Sequence, residues 1–163
     1  MNNKLIFTMA KYYEKQPERI QHYIKVFTYA KMIGEEENLP AETQHILETA
    51  AIVHDIGIKA SEAVYGDISG NHQEELGPAI AEEMLTELGY GKKVIERVSY
   101  LVAHHHTYSE IDGIDYQILV EADFLVNIHE NYNPYSSAEE AYRRVFKTET
   151  GRNLYKIMYG IEE

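Results

Sequence analysis

Three places along the chain put imidazole or carboxylate among apolar residues. His22 shares a helical row with Val26, Tyr29 and Ile33. His54 and Asp55 stand side by side in AAIVHDIGIKA, closing a row built on Leu47, Ala50 and Ala51. Asp123 lies within ILVEADFLVNI, flanked by Leu119, Val120, Leu125 and Val126. A buried carboxylate without a partner is costly, so an acid in such a setting needs a cation or several donors. One histidine on a helix is usually structural, and a His-Asp dipeptide alone is a weak signal. Their joint occurrence on separate helices that can converge is far less ordinary. A second set follows. His72 opens a helix after a glycine-rich stretch, and LVAHHHT places three imidazoles at a helix C-terminus. The helix dipole favours imidazolium there by about 0.3–1 kcal/mol, which hardly demands three in a row. Neutral imidazoles and carboxylates together suit a divalent first-row metal such as iron, manganese, cobalt or zinc.

The elements that must position these groups are helical. Apolar residues recur at helical spacing over residues 5–14, from Pro17 through the following twenty, and from Pro40 to the glycine at Gly57. Further helices are expected over 72–88, 91–107, 116–131 and 136–149, with 57–71 as a functional loop and Pro134 in a turn. AVYGDIS is the one short strand candidate. The expectation is an all-α, single-domain helical bundle of six or seven helices over residues 1–163.

Composition narrows the function. A net charge of −12, from 15 Lys+Arg against 27 Asp+Glu, leaves little for a basic face, so no nucleic acid partner is expected. The absence of cysteine removes thiolate metal sites, disulfides and cysteine nucleophiles. No apolar run approaches the ~20 residues that span a bilayer, and the N-terminal apolar patch is too short for a secretory signal. No membrane association and a cytoplasmic location are expected; a homo-oligomer is left open. There is no G-x-S-x-G elbow and no Walker-type loop, which turns attention away from serine nucleophiles and ATP-driven chemistry.

The ordered pattern of His22, His54-Asp55 and Asp123, in the contexts RIQHYIKVFTYA, AAIVHDIGIKA and LVEADFLVNI, resembles the HD-domain metal-dependent phosphohydrolase superfamily over about residues 18–130. The resemblance implies an HD-domain-like fold in which these four residues hold one metal. It also implies that His72 and histidines of the LVAHHHT run hold a second, with Asp55 bridging the two. Helical phase from Leu101 and Val102 favours His105; His104 matches the first half of the family's paired histidines, and His106 is the lower-ranked neighbour. The implied cofactor is a divalent transition metal, two per chain (Fe, Mn, Co, Ni or Zn). The implied activity is phosphomonoesterase or phosphodiesterase chemistry on a small phosphorylated or nucleotide-like substrate. Asp55 and Lys59 are the candidate catalytic residues, although Lys59 comes one residue later than in the family's usual run. Arg19, one turn before His22, is a candidate substrate contact, and Asn127, one turn after Asp123, a candidate to orient it. His45 and His129 fall outside the constellation. A mixed-valent di-iron oxygenase of the same fold and a non-catalytic ligand-sensing module are the alternatives.

Overall fold

A computed structural model describes residues 2–162; Met1 and Glu163, the ends of the expected domain, lie outside the described residues. Among the described residues all regular structure is helical: α1 (Asn2–Tyr12), α2 (Pro17–Glu36), α3 (Ala41–Val53), α4 (Ile58–Tyr65), α5 (Gly70–Glu87), α6 (Lys92–Val102), α7 (Ile114–His129), α8 (Ala138–Val145) and α9 (Glu149–Tyr159). The fold class is all-α as expected, with nine helices rather than six or seven.

The two additional helices have local causes. The stretch expected as a loop after Gly57 contains α4, a helix of eight residues that buries only Ile58 and Ser61 and ends on Gly66 in the left-handed region at φ +73°. Its apolar face is too short to produce a period. At the other end, the expected last helix breaks at Phe146, whose backbone is extended. The buried Glu121 carboxylate on α7 accepts from the Lys147 and Thr148 amides at 2.7 and 2.9 Å, holding the chain out of helical register there. Thr148 then caps α9 by accepting from the Gly151 amide at 3.0 Å.

α3 and α7 are the central helices. Residues 46–53 of α3 are all buried, as are Ile118 to Val126 of α7. α2 packs against both, and α6 against α3. These contacts bring the C-terminal end of α3, the middle of α7, the first turns of α2 and the turn after α6 to one edge of the core. Gly57, where the sequence ends the helix begun at Pro40, keeps helical dihedrals at φ −72°. It is glycine because of α5: a Cβ there would stand 2.5 Å from the Gln73 carbonyl oxygen and 3.0 Å from the Gly77 nitrogen.

Candidate metal centre

α3 ends at Val53, and the turn that follows is pinned from the C-terminus of α1 and the residue after it: the Tyr13 hydroxyl donates to the Asp55 carbonyl at 2.6 Å and that of Tyr12 to the Ile56 carbonyl at 3.2 Å. His54 is fully buried and Asp55 half-buried. From α2 comes His22 and from α7 comes Asp123, both buried. His22 Nε2 stands 3.1 Å from Asp123 Oδ1, 3.2 Å from Asp55 Oδ2 and 3.3 Å from His54 Nε2. His54 Nε2 lies 3.4 Å from both Asp55 Oδ2 and Asp123 Oδ1.

The other Asp55 oxygen faces a second group. Asp55 Oδ1 is 3.4 Å from His105 Nε2, and His106 completes a set of three potential ligand atoms with them. The helix α6 has already ended at Val102, so residues 103–106 form a turn in which two consecutive imidazoles face inward. Helical phase does not extend that far, which is why sequence ranked His106 low. The His106 ring lies against Gly70, where a Cβ would stand 2.9 Å from its Cγ.

Each imidazole has one nitrogen engaged away from the cluster. His22 Nδ1 donates to Glu130 Oε2 at 3.0 Å, His54 Nδ1 to the Ala51 carbonyl at 2.8 Å, and His105 Nδ1 to the Val102 carbonyl at 2.9 Å. For His106 the engaged atom is Nε2, 3.0 Å from Gln73 Oε1, whose amide is oriented by its donation to the Ile68 carbonyl at 2.7 Å. The free lone pairs are therefore Nε2 of three rings and Nδ1 of the fourth. Outer hydrogen bonds that fix tautomer in this way are the usual support of ligating histidines.

The electrostatics are those of a site built for positive charge. Burial opposes a proton on His22, but the Asp123 hydrogen bond and the Asp55 and Asp123 charges outweigh it and raise its pKa from 6.5 to about 9. His54 is raised against its burial by the same two acids. Burial would push Asp55 up, yet the His54 charge and the His105 and His54 contacts hold it well below the usual carboxylate range. Asp123 is likewise held down by His22 and His54. His106 goes the other way: burial and the neighbouring His105 push it down to about 4, so it stays neutral at physiological pH.

Two observations test whether a divalent metal fits. Donor atoms ~2.0–2.2 Å from one ion stand roughly 3–3.5 Å from each other, the spacing found among His22, His54, Asp55 and Asp123. His105 Nε2 is buried with no hydrogen-bond partner, an orphaned lone pair aimed at Asp55. The residues present fit the group.

Other sequence candidates sit elsewhere. His72 is on the outer face of α5, bonded to Asp67 Oδ1 at 2.7 Å and stacked on Tyr65 at 3.8 Å. The inward row of that helix is Gln73, Gly77, Ala81 and Leu85, one residue out of phase with it. His104 stacks on Tyr100 at 4.2 Å and its Nδ1 donates to the Tyr100 carbonyl at 2.7 Å. Lys59 donates to the Tyr12 carbonyl at 3.2 Å and lies over the Tyr12 ring. His45 stacks on Tyr90. Arg19 and Asn127 do line the cavity over the centre. Sequence reasoning missed Glu130 and Gln73; Glu130, which caps α7, was legible as the third member of the row Asp123, Asn127, Glu130.

Comparisons with known proteins bear on the family and the fold. A family model described as HD domain matches residues 19–146, reaching past the 18–130 stretch on which the resemblance rested. The fold is similar to the crystal structure of a predicted HD superfamily hydrolase from an uncultured Thermotogales bacterium. The likeness has a TM-score of 0.71 and 22% sequence identity, covering 97% of this chain and 84% of that one. Among curated proteins nothing matches.

Proposed function

Because the chain belongs to the HD domain family, matched over residues 19–146, we propose that it is a metal-dependent phosphohydrolase with a binuclear centre. The observation that carries this reading is the Asp55 carboxylate, which turns one oxygen to His22 and His54 and the other to His105. His22, His54 and Asp123 would hold one ion, His105 and His106 the other, with Asp55 shared. A metal pair supplies Lewis acidity toward a phosphoryl oxygen and an acidified water as nucleophile at neutral pH. The protein's part is to keep four imidazoles oriented, through Glu130, the Ala51 and Val102 carbonyls and Gln73. It also presents a cavity of about 840 Å³ above them for the rest of the substrate. Lys59, bound to Tyr12, has no part in this reading.

Protein reconstituted separately with Mn, Fe, Co, Ni and Zn should bind two equivalents and release inorganic phosphate from phosphomonoesters or phosphodiesters. Asp55→Ala should lose both ions and the activity, His105→Ala one ion, and His72→Ala neither. Dioxygen consumption without phosphate release would replace the proposal with oxygenase chemistry, and His105→Ala retaining two ions would remove the second site.

A further inference from the structure

The cavity over the centre is unevenly furnished. Among the described residues lining it, Arg19 is the one Lys or Arg side chain, and its guanidinium is engaged with Glu62 at 2.8 Å and lies over the Tyr13 ring. Beyond Asp55 and Asp123 of the centre itself, two further acids, Glu18 and Glu130, share the lining. Glu18 sits in the first turn of α2, four residues before His22 and on the same helical face. The nearby lysines serve other partners: Lys25 pairs with Glu130 at 3.0 Å, and Lys59 is turned to Tyr12. A phosphate held away from the metal centre is best met by Arg or Lys donors, and here the one such side chain is committed to Glu62 while carboxylates stand beside it.

Another part of the lining is aromatic. Tyr108, Tyr132, Pro134 and Tyr135 line it. Tyr135 rests against the buried Phe124 at 5.9 Å between ring centroids, which steadies the wall from behind, while Tyr132 is 61% exposed. Flat, half-buried tyrosine faces favour stacking of a planar ring, whatever its substituents. Asn71 and Asn127, also in the lining, carry amide donors and acceptors for ring heteroatoms.

Resting on the metal-centre reading above, we propose that the substrate carries one phosphoryl group and an uncharged planar heteroaromatic group. The phosphoryl group goes to the centre and the ring to the tyrosine wall. Glu18 is then a specificity-determining residue that turns away molecules bearing a second phosphate.

Three probes separate the two parts of the proposal: adenosine 5′-monophosphate, ribose 5-phosphate without the ring, and adenosine 3′,5′-bisphosphate with an extra phosphate. Affinities for the metal-loaded protein are read by stopped flow, before turnover, from tyrosine fluorescence corrected for ligand absorbance, since the chain has no tryptophan. Phosphate release is measured separately. The monophosphate should bind about tenfold more tightly than ribose 5-phosphate, at the weaker end of base–aromatic stacking. It should also bind about tenfold more tightly than the bisphosphate, the effect expected of two exposed carboxylates near the added charge. Glu18→Lys should narrow the monophosphate-to-bisphosphate ratio at least about fivefold, and Glu18→Gln by less. Equal binding of bisphosphate and monophosphate, equal binding of ribose 5-phosphate and monophosphate, or an unmoved ratio in both Glu18 variants would overturn the inference. The expected preferences without any phosphate release would sustain the inference and sink the phosphohydrolase reading. Phosphate release with equal affinities would do the reverse.

Discussion

Glu130 is the residue through which the centre is most directly tested, because it touches a proposed ligand without being one. Its Oε2 accepts from His22 Nδ1 at 3.0 Å, and its Oε1 accepts from Lys25 Nζ at 3.0 Å. Removing the partner of a ligating histidine's second nitrogen costs roughly 10–100-fold in metal affinity, about 1.4–2.7 kcal/mol. Here the carboxylate is 36% exposed and shared with Lys25, so screening places Glu130→Ala at the lower end, about tenfold. A charge-assisted hydrogen bond is about twice as strong as a neutral one, so Glu130→Gln, which keeps an acceptor for Nδ1–H, should lose about threefold. The assay is competition for Zn or Co with a chromophoric chelator at fixed pH, reading the tighter equivalent. The graded order wild type, Gln, Ala is the signature of orientation by hydrogen bond. Glu130→Ala with wild-type affinity would mean that packing of α2 alone fixes the His22 ring, and the reasoning from tautomer to ligand would fail.

Two further outcomes follow from the same contacts. Since folding raises the His22 pKa from 6.5 to about 9, its contribution to the metal-free protein is fully present below pH 6.5 and lost as pH rises through about 9. Asp55 and Asp123, held below the usual carboxylate value of 3.8, contribute above that value and lose their contribution as pH falls below it. Thermal unfolding in chelator should therefore show Tm falling between pH 6.5 and 9, while metal affinity rises over the same interval because binding displaces the His22 proton. A Tm independent of pH across that interval would contradict the His22–Asp cluster. Separately, Gly57→Ala should destabilise the protein by about 1–3 kcal/mol in urea unfolding, because its Cβ would meet α5 backbone 2.5 Å away. Unchanged stability would show that the turn after α3 and α5 can separate freely.

Legibility from sequence followed the helix period and stopped where the period stopped. His22 and Asp123 lie inside the long helices α2 and α7, and His54-Asp55 directly follows α3; rows of buried neighbours gave their direction. The structure brings these four side chains to one another. His105 was placed by phase from Leu101 and Val102 and does point inward, but through a hydrogen bond to the Val102 carbonyl in a turn rather than through helical geometry. In that same turn His106 faces the centre and His104 faces Tyr100, an ordering no helical wheel yields. His72 shows the converse. Its helix was foreseen, but the inward phase of α5 is set by the close approach of Gly57 to Gln73 and Gly77, which leaves the imidazole outside. The break at Phe146 depends on Glu121, twenty-five residues earlier, so no local signal announces it. What a side chain does is thus readable where its own helix fixes its direction, and unreadable where another segment does. The centre needs both kinds: ligands on α2, α3 and α7 define the first set of donors, while the second depends on a turn whose shape is decided by Gln73 and Gly70 across the cavity. Metal affinity of the second equivalent should accordingly be the more sensitive of the two to changes far from it in sequence.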